Sequence, residues 1–284
     1  MRSCGREEMI TLEPGLTSQL SPLVRRIIAP NPGVMTGPGT NTYLVGNDEI
    51  AVVDPGPDEP SHIEAILREG AGRIRWIVVT HTHEDHSPAA TPLARATGAQ
   101  LRGVAAPDDF YQDLMFTPDV ALSDEPLLQT PEFSLRAVHT PGHACNHYCL
   151  LLEHEGMLFT GDHIMNGSTV VIIPPSGDMK DYLDSLEKLK SLPLRSLAPG
   201  HGELMPEPIA VVEGIIRHRL GREAKVVRVL ADAGGTLDEL VERTYDDVPR
   251  AMFPMAKYSL WAHLLKLGRE GRAVERDARW DATG

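Results

Sequence analysis

The segment at residues 77–90, IVVTHTHEDHSPAA, places four side chains of metal-ligand type within six positions, directly after a run of mostly β-branched residues. They are His81, His83, Asp85 and His86. Buried in a folded chain without partners, such groups would cost about 1–3 kcal/mol each. His and Asp supply the nitrogen and oxygen ligands that borderline divalent metals accept. The cluster therefore predicts a metal site at the end of a strand.

Similar residues follow other predicted strands. The stretches EIAVVDPG, IRWIVVTH, SLRAVHTPGH, MLFTGD and LRSLAPGH reach Asp54, His81, His143, Asp162 and His201. Ligands from separate strand ends converge at one edge of a sheet, where clefts form. Asp54 and Asp162 also fit the alternative of simple turn formers. The set exceeds the needs of one ion, and two ions about 3.5–4 Å apart can share one hydroxide that attacks a substrate. A carboxylate such as Asp162 could bridge them.

The remaining pattern predicts a mixed α/β core followed by helices. HEG at residues 154–156 predicts a hairpin, Ser61 with Glu64 a capping box, and DMKDYLDSLEKLKSL a helix. From residue 213, three helical stretches are followed by the extended RAVERDARW; Thr236 opens the second, and Gly268 ends the third. This order is typical of a small winged-helix module, although a plain dimerisation appendage also fits it.

Composition sets further limits on this 284-residue chain. Lys and Arg number 14 against 28 Asp and Glu in residues 1–212, and 13 against 12 in residues 213–284. We therefore expect a catalytic domain at 1–212 and a winged-helix-like domain at 213–284, the latter free to meet a polyanion or to form a homodimer. The net charge of −13 argues against indiscriminate nucleic-acid or membrane binding. Since the chain has no long apolar run or signal-like start, we expect a cytoplasmic protein without a membrane partner. The three cysteines, Cys4, Cys145 and Cys149, are expected to be reduced thiols.

The motifs HTHEDH, TPGH, GD and PGH, in this order, resemble the metallo-β-lactamase superfamily. The resemblance implies an α/β fold, the αββα sandwich, with a dinuclear zinc site at its edge; iron or manganese would accept the same ligands. It implies that His81, His83 and His143 hold one metal, that Asp85, His86 and His201 hold the other, and that Asp162 bridges the two. Asp54 matches a carboxylate that orients the ligands.

PNPGVMTGPGTNTYLVG at residues 30–46 and the helical tail resemble the beta-lactamase-like protein 2 subgroup, which includes endoribonucleases acting on single-stranded RNA. His147 matches a histidine four residues after TPGH; it is a candidate for substrate contact or proton transfer, with a supporting structural role as the alternative. Asp162 argues against a dedicated antibiotic-degrading enzyme, and GDHIMNG differs from the continuation typical of glyoxalase II.

The leading hypothesis is a metal-dependent hydrolase, dinuclear in zinc, whose metal-bridging hydroxide attacks phosphorus or a carbonyl carbon. Asp85 and Asp162 take part as ligands, not as free bases. The resemblance favours an RNA phosphodiester as substrate; a small thioester, lactone or ester is the alternative. A nucleic-acid-binding protein with a non-catalytic metal site is a third hypothesis. The isolated histidines are assigned to the surface or to packing: His62, His139, His154, His218 and His263.

Overall fold

The computed structural model describes residues 12–109, 111–124 and 126–283; Cys4 and the N-terminal segment considered above lie outside them. Seven strands form the first sheet in chain order. They are β1 Thr17–Gln19, β2 Val24–Ile28, β3 Asn41–Val45, β4 Ile50–Val53, β5 Ile74–Val78, β6 Gln100–Gly103 and β7 Val120–Ala121. The first four are antiparallel, and β4 to β7 are parallel. Helices α1 (Pro60–Gly70) and α2 (Ala90–Thr97) provide two of the crossovers.

Five strands form the second sheet, in the order β12-β11-β10-β9-β8. They are β8 Pro126–Gln129, β9 Ser134–His139, β10 Tyr148–Leu152, β11 Met157–Gly161 and β12 Ser196–Pro199, with helix α3 (Met179–Leu189) between β11 and β12. Leu152 pairs with Met157 across an antiparallel turn, so the hairpin predicted at HEG is confirmed. Strands β11 and β12 run parallel, because the α3 crossover returns the chain to the same end of the sheet.

Three hydrophobic clusters hold the layers together. Between the sheets, Tyr43 and Val53 of the first pack with Leu150 and Phe159 of the second. On the outside of the first sheet, Ile66 of α1 belongs to a cluster with strand residues. A third cluster covers the outer face of the second sheet with residues of α3 and of the following helix. The predicted αββα sandwich is thus confirmed.

The C-terminal part consists of α4 Pro208–Asp232, α5 Leu237–Thr244, a short 3-10 helix Arg250–Met252, α6 Phe253–Arg269, β13 Ala273–Arg276 and β14 Arg279–Ala282. Its core includes Leu240, Leu264 and Trp280. The Thr236 capping box is present. Helix α4 is shared, because Val212 packs in the cluster against the second sheet, whereas Val226 packs in the C-terminal core. The domain boundary expected near residue 212 falls inside this helix and stays a prediction.

Two local predictions are wrong. Helix α1 begins at Pro60 after Glu59, and no side chain caps it; the fixed φ of proline suits a first helical residue, so Ser61 lies already inside the helix. Gly268 does not end α6, which continues to Arg269. The chain turns instead at Gly271, whose φ of 70° is left-handed. Within the described residues, the helices are too short or too polar to cross a bilayer.

Candidate metal centre

Five strands deliver ligand-type side chains to one edge of the sandwich. Asp54 follows β4, the HTHEDH residues follow β5, His143 follows β9, Asp162 follows β11 and His201 follows β12. The structure brings seven of these residues into two groups whose ligand atoms lie within 4.8 Å of one another: His81, His83 and His143, and Asp85, His86, Asp162 and His201. The grouping matches the sets that the resemblance implies.

The first group is a triangle of imidazole nitrogens. Nδ1 of His83 lies 3.0 Å from Nε2 of His81 and 3.0 Å from Nε2 of His143. Burial lowers the pKa of His83 to about 3 and also lowers the pKa of His81 and His143. Neutral imidazole is the form that binds metals. This group therefore presents three lone-pair donors around one point.

In the second group, two imidazoles face two carboxylates. Nε2 of His201 lies 3.2 Å from Oδ2 of Asp85 and 3.3 Å from Oδ1 of Asp162, and Nε2 of His86 lies 3.4 Å from the same Asp162 oxygen. The other Asp162 oxygen, Oδ2, is 3.9 Å from Nε2 of His143 in the first group. The two oxygens of one carboxylate thus face the two groups, as a bridging ligand requires.

The charges in the second group favour a cation. Burial alone would lower the pKa of His86 and His201, but the nearby carboxylates hold the pKa of His86 well above its ordinary value and raise that of His201 to about 9. Burial would likewise raise the pKa of Asp162, yet these histidines hold that pKa well below its usual range. The carboxylate of Asp162 is therefore ionised.

The centre passes a test of fit for divalent metals. Within the described part of the chain, His86 Nε2, His201 Nε2 and Asp162 Oδ1 are buried, and their contacts at 3.2–3.4 Å do not have hydrogen-bond geometry. Buried polar atoms are normally satisfied, and a coordinated cation would satisfy these three together. A Cβ at Gly200 would lie 2.7 Å from both Asp162 Oδ1 and His86 Cε1, so a residue without a side chain keeps this space open.

Asp54 organises the ligands from behind. Its Oδ1 accepts the Thr80 backbone N–H at 2.8 Å, and its Oδ2 accepts the Thr80 hydroxyl at 2.8 Å and Nδ1 of His86 at 3.0 Å. Because the Thr80 hydroxyl donates to Asp54, it accepts a hydrogen bond from Nδ1 of His81, which lies 3.0 Å away. One carboxylate thus fixes two histidines in the tautomer that leaves Nε2 free for a metal.

Backbone carbonyls fix two more ligands in the same way. Nδ1 of His143 donates to Val171 O at 2.9 Å, and Nδ1 of His201 donates to Gly39 O at 3.3 Å. Both bonds leave Nε2 directed at the centre. The loops that contain Val171 and Gly39 are therefore part of the site, a role that the sequence patterns do not indicate.

His147 lies behind the ligands. It is 0% exposed, its Nδ1 lies 2.9 Å from the Thr140 hydroxyl, and its ring centroid is 5.0 Å from that of His81. Of the two roles left open by the sequence, this placement favours the supporting one. His163, which sequence reasoning missed, is buried next to it at 5.8 Å between ring centroids; its position directly after Asp162 was the available signal.

The isolated histidines lie outside both groups. His62 is buried, with Nε2 2.8 Å from the Thr42 hydroxyl, and His263 is buried beside Glu223. His154 and His218 are exposed, and His139 is half-buried. Their assignment to the surface or to packing is in keeping with these positions.

Comparison with known proteins decides the family. A sequence profile described as metallo-beta-lactamase superfamily matches residues 35–201, and one described as beta-lactamase associated winged helix domain matches residues 236–280. The chain belongs to the metallo-β-lactamase superfamily. Members of this superfamily are metal-dependent hydrolases, so the chain is an enzyme of that class with a divalent metal centre.

Two relatives support this membership, and a solved structure has the same fold. The chain is 32% identical to the "Beta-lactamase-like protein 2 homolog" of Drosophila melanogaster, over 93% of each protein. It is 32% identical to the "Atrochrysone carboxyl ACP thioesterase" of Aspergillus fumigatus, over 81% of this chain and 76% of that protein. A beta-lactamase domain protein from Burkholderia ambifaria has the same fold, with a TM-score of 0.83 at 21% identity over 97% of this chain and 96% of that one.

Proposed function

We propose that this superfamily member is a dinuclear zinc hydrolase that cleaves an ester or thioester bond in an uncharged, apolar substrate. The observation that carries the dinuclear assignment is the Asp162 carboxylate, whose two oxygens face the two ligand groups. Seven His and Asp ligands without a thiolate fit two zinc ions. Zinc bound at this centre would lower the pKa of a water molecule toward neutrality and take up negative charge developing on a carbonyl oxygen.

The protein's own residues orient the histidines and keep the carboxylates ionised. Asp54, Val171 and Gly39 each hold the distal nitrogen of a histidine, so the ligand nitrogens point inward. Asp85 and Asp162 both have pKa values below the ordinary range and are ionised at neutral pH. They hold metals and are not free bases. We assign to His147 the support of His81 from behind.

The charge composition of the loops around the centre indicates the class of substrate. Seven loops contact the ligands or contain them: residues 29–40, 54–59, 79–89, 104–119, 140–147, 162–178 and 200–207. None of the seven contains a Lys or Arg, and five contain Asp or Glu. Proteins bind nucleic-acid phosphates chiefly through Lys and Arg. We therefore place an uncharged ester or thioester before RNA, reversing the order that the subgroup resemblance gives.

Exposed apolar side chains stand on two of these loops. Val34 is 91% exposed and Met35 50% on the loop that ends beside His201; Tyr111 is 65% and Met115 83% exposed on the loop that contacts the HTHEDH segment. Exposed apolar residues grouped near a cleft are typical of ligand contact. We assign them to contact with the acyl part of the substrate, and the relative named as a thioesterase supports this class.

Ion pairs neutralise part of the positive charge in the C-terminal part. Of the basic side chains along α4, Arg222 pairs with Asp247 at 2.8 Å and Arg217 lies 3.8 Å from Glu213. Lys225 pairs with Asp246. Exposed Arg228 on the same helix has no ion-pair partner among the described residues, so these pairs reduce the positive charge of this face without removing it. We assign this part to packing and to support of the catalytic domain.

The direct test compares substrate classes on the full chain loaded with zinc. Short and long acyl thioesters of N-acetylcysteamine, a p-nitrophenyl ester, a β-lactam and a single-stranded RNA oligonucleotide would be assayed at equal concentration, with and without chelator. We expect chelator-sensitive cleavage of thioesters or esters, faster for the longer acyl chain. Cleavage of RNA alone would overturn the proposed substrate class. An Asp162→Asn variant, which should lose hydrolysis, controls for contaminating esterases.

A further inference from the structure

The ligand His143 depends on a segment that the C-terminal helices hold in place. Its Nδ1 donates to Val171 O at 2.9 Å. Val170 and Ile172 are buried in the cluster that also includes Ala262 of α6, whereas Val171 between them is half-buried. The side chains before and after Val171 thus pack in the cluster that reaches the C-terminal helices, while the Val171 carbonyl accepts from the ring of His143.

Arg219 of α4 contacts this segment from the C-terminal side. It is 4% exposed, and its guanidinium donates a hydrogen bond to Val170 O. It also lies 5.3 Å from the ring centroid of Tyr182, whose hydroxyl donates to His163 O at 3.0 Å. In the described part of the chain, Arg219 lies within ion-pair distance of no carboxylate. A buried arginine is costly without a partner, so its placement needs a reason other than an ion pair.

Arg269 of α6 contacts the other end of the segment. Its guanidinium pairs with Asp178, the residue that caps α3. The backbone N–H of Asp178 donates to Gly142 O at 2.8 Å, and Gly142 directly precedes His143. Through these two arginines, α4 and α6 contact both parts of the chain that position His143. One is the segment whose Val171 carbonyl accepts from its ring, and the other is the backbone at Gly142, directly before it.

We propose that Arg219 and Arg269 are positioning residues of the metal centre, which hold residues 170–178 so that His143 presents Nε2 to the metal. A peptide unit is planar, so the hydrogen bond to the Val170 carbonyl fixes the peptide plane up to the Val171 nitrogen. Without this bond the segment is held only by the packing of Val170 and Ile172, and the Val171 carbonyl, the acceptor for Nδ1 of His143, is less precisely placed. The C-terminal helices then contribute to metal binding although they contain no ligand. This inference rests on the proposed metal centre.

The test uses full-length Arg219→Met and Arg269→Met variants. Methionine keeps an unbranched stem but removes the donors. Arg217→Met is the matched control, because this arginine lies on α4 with its side chain 72% exposed and has Glu213 as its ion-pair partner. Each protein would be loaded with cobalt and then with zinc. The measurements are the cobalt absorption spectrum, metal affinity by chelator competition, and kcat and KM with the thioester.

We expect Arg219→Met to weaken one of the two metals about 10- to 100-fold, the range for residues that orient ligands. Its cobalt spectrum should shift, and kcat should fall while KM stays near the wild-type value. Arg269→Met should show smaller changes in metal affinity, cobalt spectrum and kcat. Arg217→Met should leave all three unchanged. Since Arg269 is largely exposed, that variant should fold even if Arg219→Met does not.

The inference is overturned if folded variants keep the wild-type cobalt spectrum and both metal affinities. A lower melting temperature with unchanged metal binding would show a merely structural role and would also overturn it. If the wild type binds two metals but cleaves no ester or thioester, the proposed substrate class fails while the metal measurements still decide the role of the two arginines. A wild type that binds no metal would overturn both proposals.

Discussion

Replacing Asp54 with asparagine tests how the protein fixes the protonation of its ligands. The side chain is almost fully buried and accepts three hydrogen bonds, from the Thr80 N–H, the Thr80 hydroxyl and Nδ1 of His86. Asparagine matches its size and tolerates the left-handed φ of 48° at this position. The substitution therefore changes one acceptor into a donor without disturbing the backbone.

The amide can take two orientations, and each has a cost. With its NH2 group toward His86 and the Thr80 hydroxyl, it donates, so Nδ1 of His86 must be unprotonated and Nε2 then carries the proton that blocks a metal. With its oxygen there, the ligand tautomers are correct, but the NH2 group opposes the Thr80 N–H. Leaving a buried donor unpaired costs about 1–3 kcal/mol.

Metal binding forces the second orientation. In the metal-free variant, loss of the Asp54 carboxylate removes one of the groups that raise the pKa of His86, so a neutral His86 accepts from the amide and the first orientation prevails. The difference of about 1–3 kcal/mol therefore weakens metal binding about 5- to 150-fold, at about 1.4 kcal/mol per factor of ten. We expect the metal held by His86 to be affected most. Competition with a chromophoric chelator would measure both affinities, with Asp48→Asn, at an exposed turn, as the control. Affinities within twofold of the wild type at both sites would refute this account of the tautomers.

Three further predictions follow from the site and its support. Asp85→Ala and His201→Ala each remove a ligand, so hydrolysis should fall at least 1,000-fold, and elemental analysis should show the loss of about one metal per chain. The control His154→Ala, at an exposed position, should keep its activity and its metals. Near-normal turnover by either ligand variant would contradict the assignment. Met115→Asp places a charge among the exposed apolar residues of its loop, so KM for a long-chain thioester should rise about tenfold with kcat unchanged. The KM for a short-chain thioester should change little. Equal changes in KM for the two substrates would argue against contact with the acyl group. Burial would raise the pKa of Glu223, but His263 and Lys266 lower that pKa to about 2, so Glu223→Gln should reduce the free energy of unfolding by about 2–3 kcal/mol at pH 7. Because the folded pKa lies below the unfolded value of about 4.3, the contribution is complete above it and is lost as the pH falls toward 2. The difference between the denaturant titrations of the two proteins should therefore shrink steadily as the pH falls from 5 toward 2, and a constant difference would refute the ionic explanation.

The ligand-type residues, and the strands that carry them, could be identified from the sequence alone. Residue types and the period of apolar side chains are local properties, so HTHEDH and the strand ends at Asp54, His143, Asp162 and His201 could be recognised without coordinates. The HEG hairpin and the Thr236 capping box are local for the same reason, because their partners lie within a few residues.

The geometry among these residues depends on the tertiary structure. The two oxygens of Asp162 face different ligand groups, Asp54 reaches Thr80 and His86 across separate strands, and His147 lies behind His81 without exposure. Each relation joins parts of the chain that packing brings together, so no local pattern contains it. The contact of Arg219 with Val170, 49 residues away along the chain, is of this kind. The sequence specifies the chemical groups, whereas the packing of the two sheets and the C-terminal helices orients the histidines that contact Asp54, Val171 and Gly39.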